Sequence, residues 1–163
     1  MASRTAWTAG NGVGLTWSTL INSADMASMA NGATVVSSVS DIANGTNLDM
    51  FMDISWKLVI ASSTIAAGAN FAFWIYALDQ DGSTYGDGQF TNGTAASLTP
   101  SFPPCATGFI PAVASTTNMS GFTQQIIIPP GSFRVAIQNN SGFALTSGTQ
   151  TVKYRTYNIN LNN

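Results

Sequence analysis

Histidine and glutamate are absent from this chain of 163 residues, and cysteine occurs once, at Cys105. Without histidine the usual proton carrier near neutral pH is missing, so general acid–base work would fall on aspartate alone. A serine or cysteine nucleophile likewise lacks its partner base. The expectation is a protein that is not an enzyme, with no catalytic residues and no cofactor. A lone cysteine forms no intrachain disulfide and leaves the redox compartment open; beside Pro103 and Pro104 it reads as a small apolar filler.

Charge is scarce too, at 7% of residues against roughly 25% in ordinary soluble domains. The net charge is −2, and Arg4, Lys57, Arg134, Lys153 and Arg155 are scattered apart from the last two. Neutralising phosphates needs a basic patch, so nucleic acid is not an expected partner. Lys153 and Arg155 share one strand face, which reads as solvated rather than as an anion site. No apolar run approaches the roughly 20 residues of a membrane helix, and residues 1–14 lack a basic segment followed by an apolar core. The expectation is a soluble, unsecreted protein with no membrane partner. The Asn-x-Ser/Thr triplets at Asn44, Asn92, Asn118 and Asn139 then read as turn residues.

What is present is apolar: 45% of residues are hydrophobic. A surface wetted mainly by Ser, Thr, Asn and Gln suits a protein packed among neighbours, so self-association is expected. In Leu48, Met50, Met52, Ile54, Trp56, Leu58 and Ile60 every second residue is apolar, a period of two that marks a half-buried strand. The run from Asn70 to Asp79 is apolar on both faces, so a second cover must lie over its outer face. With the connector 61–69 between them, these runs predict a long antiparallel hairpin. Asn44-Gly45 marks a turn before it, and Thr34 to Val39 is a β-branched strand.

Residues 1–31 carry Trp7 and Trp17 among glycines without sustained periodicity, and read either as an arm or as a first strand, Val13 to Ile21, with Trp17 in the core. A short helical turn near Asp25 to Met29, capped by Ser23, is possible. Residues 79–99 read as an exposed loop anchored by Tyr85, Phe90 and Leu98, with a short strand at 88–91. Pro100, Pro103, Pro104 and Pro111 exclude a central strand from the segment that follows. Such an excursion is a place for contacts. Phe122 to Ile128 and Ser132 to Gln138 are strands around Pro129-Pro130-Gly131; Phe133, Val135 and Ile137 share one face, Arg134 and Gln138 the other. In 150–161 the apolar parity switches near Arg155, predicting a bulge or a change of sheet. The pattern predicts an all-β fold, an antiparallel β-sandwich or jelly roll over 32–163 with an irregular N-terminal arm and a long loop excursion.

Asp79, Asp81 and Asp87 are weak candidates for a calcium loop, set against the hairpin turn that Asp-Gly equally signals. Asp49 and Asp53, about 13 Å apart along one strand face, exceed the reach of paired glycosidase carboxylates and read as solubilising. The candidate partner-binding residues are Trp7, Trp17, Tyr85, Phe90, Phe102 and Phe109. Trp56 and Trp74 sit in the best strands and read as core.

The charge-poor Gly/Asn/Thr-rich composition, the 48–79 run and the passage from Ile126 to Asn139 (Ile-Ile-Ile-Pro-Pro-Gly-Ser-Phe-Arg-Val-Ala-Ile-Gln-Asn) resemble the jelly-roll decoration, or cement, proteins of tailed bacteriophages. The likeness covers about the last three quarters of the chain. It implies a structural virion protein, made in the host cytoplasm, that sits on the capsid surface, often as a homotrimer, and binds the outer surface of the major capsid protein lattice. A tail or baseplate component, or a module for host glycan using Tyr85, Phe90 and the 79–87 loop, is the alternative.

Overall fold

The alternation in β5 (Phe51–Val59) puts Met52, Ile54, Trp56 and Leu58 on one face, and all four are buried. In this computed structural model, which describes residues 4–9, 15–61, 64–86, 90–91, 96–112 and 118–162, they pack against Phe71 and Phe73 of β6 (Asn70–Ala77) and Phe133, Val135 and Ile137 of β12 (Ser132–Asn140). The chain is all-β, and its two antiparallel sheets pack face to face as a β-sandwich. Burying each large apolar side chain contributes roughly 1.5–3 kcal/mol, so this layer dominates the stability.

In the first sheet β5 lies between β11 (Asn118–Ile127) and β13 (Thr151–Asn162). The far side of β13 carries β1 (Arg4–Ala9) and β2 (Ser18–Ile21) end to end. In the second sheet β10 (Ala106–Phe109) pairs with β6 and β6 with β12. Along the other side of β12 run β3 (Thr34–Val36) and β4 (Ile42–Ala43), with β9 (Ala96–Ser97) on β3. The expected short helical turn is a 3-10 turn, Ala24–Met26; Ser23 makes no side-chain cap, and its hydroxyl instead accepts the Gln150 N–H.

The hairpin expected over 48–79 does not form, because β5 and β6 belong to different sheets. Both strands have an apolar inner face, and setting those faces opposite one another buries more than pairing the strands edge to edge. The connector, with Gly68 at φ 85°, is long enough to cross the gap. Nor is there a bulge in β13 at Arg155: its register with β5 is unbroken from Thr151↔Lys57 to Tyr157↔Phe51. The parity switches because Tyr157 joins Lys153 and Arg155 on the outer face, where it is nonetheless buried. The register shift in this region lies on the β2 side, between Val152 and Lys153.

The second cover comes from within the chain. Ala72, Trp74 and Tyr76 on the outer face of β6 form a second cluster with Tyr85, Phe90 and Leu98 of the excursion. Its centre is the ribbon of β7 (Thr84–Tyr85) and β8 (Phe90–Thr91). The rings of Tyr85 and Phe90 stack at 5.4 Å, and Tyr76 meets Phe90 edge-on at 5.4 Å. Arg134, expected on a polar face, is buried beneath this cover: its guanidinium donates to the carbonyls of Ser37 and Val39 and lies over Phe90. Those acceptors, with the nearby carboxylates of Asp41 and Asp25, make the buried cation tolerable.

Candidate interaction site

Two strand edges without a partner strand among the described residues lie side by side along one flank of the sandwich: β10 ends the second sheet and β11 the first. Glycines let them approach. The indole of Trp56 fills the space above Gly121, its cross-strand partner on β11, and also that above Gly108 on β10. A groove of about 570 Å3 opens between the two strands, running from Cys105–Thr107 to Phe122–Ile127. Phe109 on β10 is 72% exposed and Ile127 on β11 is 77% exposed, with Phe122 partly so.

A bulge shapes the β11 edge. Thr123 and Ile126 pair with Ile54 and Met52, so Gln124 and Gln125 together face the single residue Asp53, one residue more than the ladder needs, and Gln125 takes φ 55°. That left-handed conformation is uncommon for glutamine and carries a strain of roughly 1–3 kcal/mol. What holds it is Asp53: the Gln125 N–H, turned out of the ladder, donates to Asp53 Oδ1 at 3.1 Å. Tyr157 donates its hydroxyl to the same oxygen at 2.9 Å, while Arg155 Nε and Nη2 both reach Oδ2 at 2.9 Å. Burial and the neighbouring carboxylate push the Tyr157 phenol up to about 12.

Arg155 in turn lies between aromatic rings, 4.8 Å from Trp17 and 5.8 Å from Phe122, and those two rings meet edge-on at 5.7 Å. The sequence reading of Asp53 as solubilising is therefore corrected: at 3% exposure it is a buried brace with four donors. Asp49 is buried as well, accepting from Asn158 Nδ2. Both carboxylates are withdrawn from solvent because the sequence supplies partners for them from more than 100 positions away.

The other expected site residues scatter. Tyr85 and Phe90 are buried in the second cover, so they offer no stacking surface; the Tyr85 hydroxyl donates to Asp41, and burial first, then that carboxylate, push its pKa up to about 12. Their loop is short of apolar anchors, so its few aromatic side chains turn inward onto Trp74 and Tyr76. Trp17 is half-exposed on the outer face and not in the core. Trp7 lies on β1 opposite Ile159. Phe102 is partly exposed, with its carbonyl accepting Trp74 Nε1 and its ring edge-on to Tyr76. Of the named candidates only Phe109 sits on the β10/β11 flank.

Asp81 accepts from the Thr84 hydroxyl and from the N–H groups of Ser83 and Thr84, which lower its pKa to about 2. Thr84 also donates to Asp79. These are bonds of a turn; Asp87 falls outside the described residues, among which no group of three or more His, Cys, Asp or Glu gathers to hold a metal ion. Cys105 is exposed and no filler, although its Sγ donates to the Phe73 carbonyl and desolvation raises the thiol to about 11. No helix among the described residues is long and apolar enough to cross a membrane.

Sequence reasoning missed Ile127, Phe122 and the Asp53–Arg155 brace. Ile126-Ile127-Ile128 carried a signal, because three consecutive apolar residues in a strand force one outward. The brace carried none. No known protein family, curated protein or solved structure matches this chain.

Proposed function

We propose that this chain is a non-catalytic structural protein of a bacteriophage particle, which decorates the capsid by docking its β10/β11 flank on the outer surface of the major capsid protein lattice. The observation that supports this most directly is the flank itself: a groove between two strand edges, carrying Phe109 and Ile127 as the most exposed large apolar side chains among the described residues. Large apolar side chains exposed along a strand edge mark a candidate protein contact. The carboxylates described at this flank are engaged by donors rather than poised for chemistry. The host-glycan alternative loses its support with the burial of Tyr85 and Phe90.

The test is co-sedimentation with shells assembled from the major capsid protein of the phage encoding the chain. Phe109→Ser combined with Gln124→Lys alters β10 and the β11 wall of the groove at exposed positions. Loss of binding with an unchanged circular dichroism spectrum is expected, whereas Phe102→Ser leaves binding intact. Binding by the double variant at wild-type level would overturn the proposal, and gold labelling confined to tails would move the protein from capsid to tail.

A further inference from the structure

Leu48 lies in the left-handed region, at φ 50°, with its side chain 56% exposed. Glycine or asparagine takes such a conformation with less strain, and a polar side chain would be better wetted there, so the turn by itself does not call for leucine. The bend is held by Asn44, which is buried: its backbone carbonyl accepts the Leu48 N–H, its side-chain oxygen accepts the Asp49 N–H at 2.7 Å, and its amide donates to the carbonyls of Asp49 and Pro129, both at 2.9 Å. The Ile128 N–H donates in turn to the Met50 carbonyl, and together these bonds fix residues 48–51 against 127–130. The same two segments line a groove of about 230 Å3, with Leu48, Met50, Phe51, Ile127 and Pro130 among its walls. Asp49, the one ionisable residue lining it, is buried and accepts from Asn158.

We infer that this groove receives one large apolar side chain, aliphatic or aromatic, from the same protein that docks on the β10/β11 flank, an assignment that rests on the docking role proposed for that flank. Ile127 joins the two places, since it lines both the flank groove and this one. A partner seated on the flank at Ile127 is therefore already at the rim of the end groove. Size and chemistry narrow the occupant. The volume of about 230 Å3 falls below the roughly 300–1,000 Å3 of small-molecule pockets and suits a single side chain. Leu48, Met50 and Ile127, all exposed, form an apolar rim with no charge to hold a polar group. An apolar anchor that fills a pocket fixed in advance is where interfaces concentrate their energy. The strained conformation at Leu48 then has a use: it holds an apolar rim out in water until the partner covers it.

Leu48→Gly in the co-sedimentation assay with capsid shells tests it. Glycine takes φ 50° without strain, so the variant is expected to keep a urea midpoint at or above that of the wild type while binding about tenfold more weakly or worse, and Met50→Ser is expected to weaken binding likewise. Wild-type binding by both, while Phe109→Ser with Gln124→Lys fails to bind, would overturn the inference and leave the docking role of the flank standing. A lowered urea midpoint for Leu48→Gly would assign that side chain to stability and overturn it too. So would a concentration-dependent dimer in sedimentation velocity that Leu48→Gly abolishes, because a second copy would then fill the groove. If the wild type binds no shells, the docking role of the flank falls, and N-acetyl-tryptophanamide titrated into the full chain decides for the groove alone. Saturable methyl shifts in the NMR spectrum confined to Leu48, Met50 and Ile127 are expected, and their absence up to about 20 mM would overturn the inference.

Discussion

A Cβ added to Gly121 would lie 2.1 Å from Cζ2 of Trp56, and one on Gly108 would lie 2.7 Å from its Nε1. One indole thus sets how closely the β10 and β11 edges approach each other. Replacing either glycine by alanine forces the buried ring to shift, and overpacking of this kind costs about 1–3 kcal/mol. Urea unfolding is expected to show a lowered midpoint at an unchanged slope, larger for Gly121→Ala because its gap is the smaller. An unchanged midpoint for both would mean the indole can move freely.

The brace on the outer face should behave as a unit. Asp53→Asn leaves Arg155 facing a neutral amide, and Arg155→Met leaves the carboxylate without its cation. Because Arg155 retains 28% side-chain exposure, the loss in each case should be about 1–2 kcal/mol, less than for a fully buried pair. The double variant should cost less than the sum of the two, and a double-mutant cycle checks this. Strict additivity would separate the pair energetically.

Alkaline titration should expose two buried phenols. Tyr85 and Tyr157 titrate near 10 when unfolded and at about 12 in the folded chain, so the folded state holds their protons more tightly. Stability from this source is fully present below pH 10 and declines as pH rises from 10 to 12. Thermal melts across that window are expected to show a falling midpoint, with a shallower fall in Tyr85→Phe and Tyr157→Phe. Phenolate absorbance appearing in the folded protein at pH 10 from all four tyrosines would contradict it.

At the acid end the direction reverses. Asp81 falls from 3.8 to about 2 on folding through bonds from Thr84 and Ser83, so its contribution is present above pH 4 and is lost as pH drops towards 2. Asp81→Asn should flatten this part of the acid profile, which stability measurements between pH 4 and 2 can read.

Asn139 ties distant turns together. Its amide donates to the carbonyls of Met29, Ala30 and Phe143, and its carbonyl accepts the Ser141 N–H, all with the side chain fully buried. Asn139→Ala strands several of those groups and should destabilise the fold by about 3 kcal/mol in chemical denaturation. A loss below 1 kcal/mol would mean that those backbone groups find other partners.

The strands with one strict parity were legible in the residues. Met52 to Leu58 and Phe133 to Ile137 alternate as the structure has them, because a sheet with one buried face imposes a period of two on its own sequence. The need for a second layer over Trp74 and Tyr76 was legible for the same reason. What supplied it was not, since a polar, glycine-rich loop carries no periodicity to show that Tyr85 and Phe90 turn inward. At the flank Phe109 and the triple isoleucine alone hinted at exposed positions. The bulge at Gln125 depends on a carboxylate 72 positions away, and local pattern does not encode such a partner.

By itself, then, the sequence determined which ionisable groups the protein carries and the period of its core strands: aspartate is its one kind of side-chain carboxylate and histidine is absent, and alternating apolar residues bury one face wherever they are placed. Which strands pair, and which sheet each joins, was decided only in three dimensions. Apolar faces are interchangeable in one dimension, and it is the closure of two layers around Trp56 that assigns β5 and β6 to opposite sides of the core and brings β10 and β11 together on one flank.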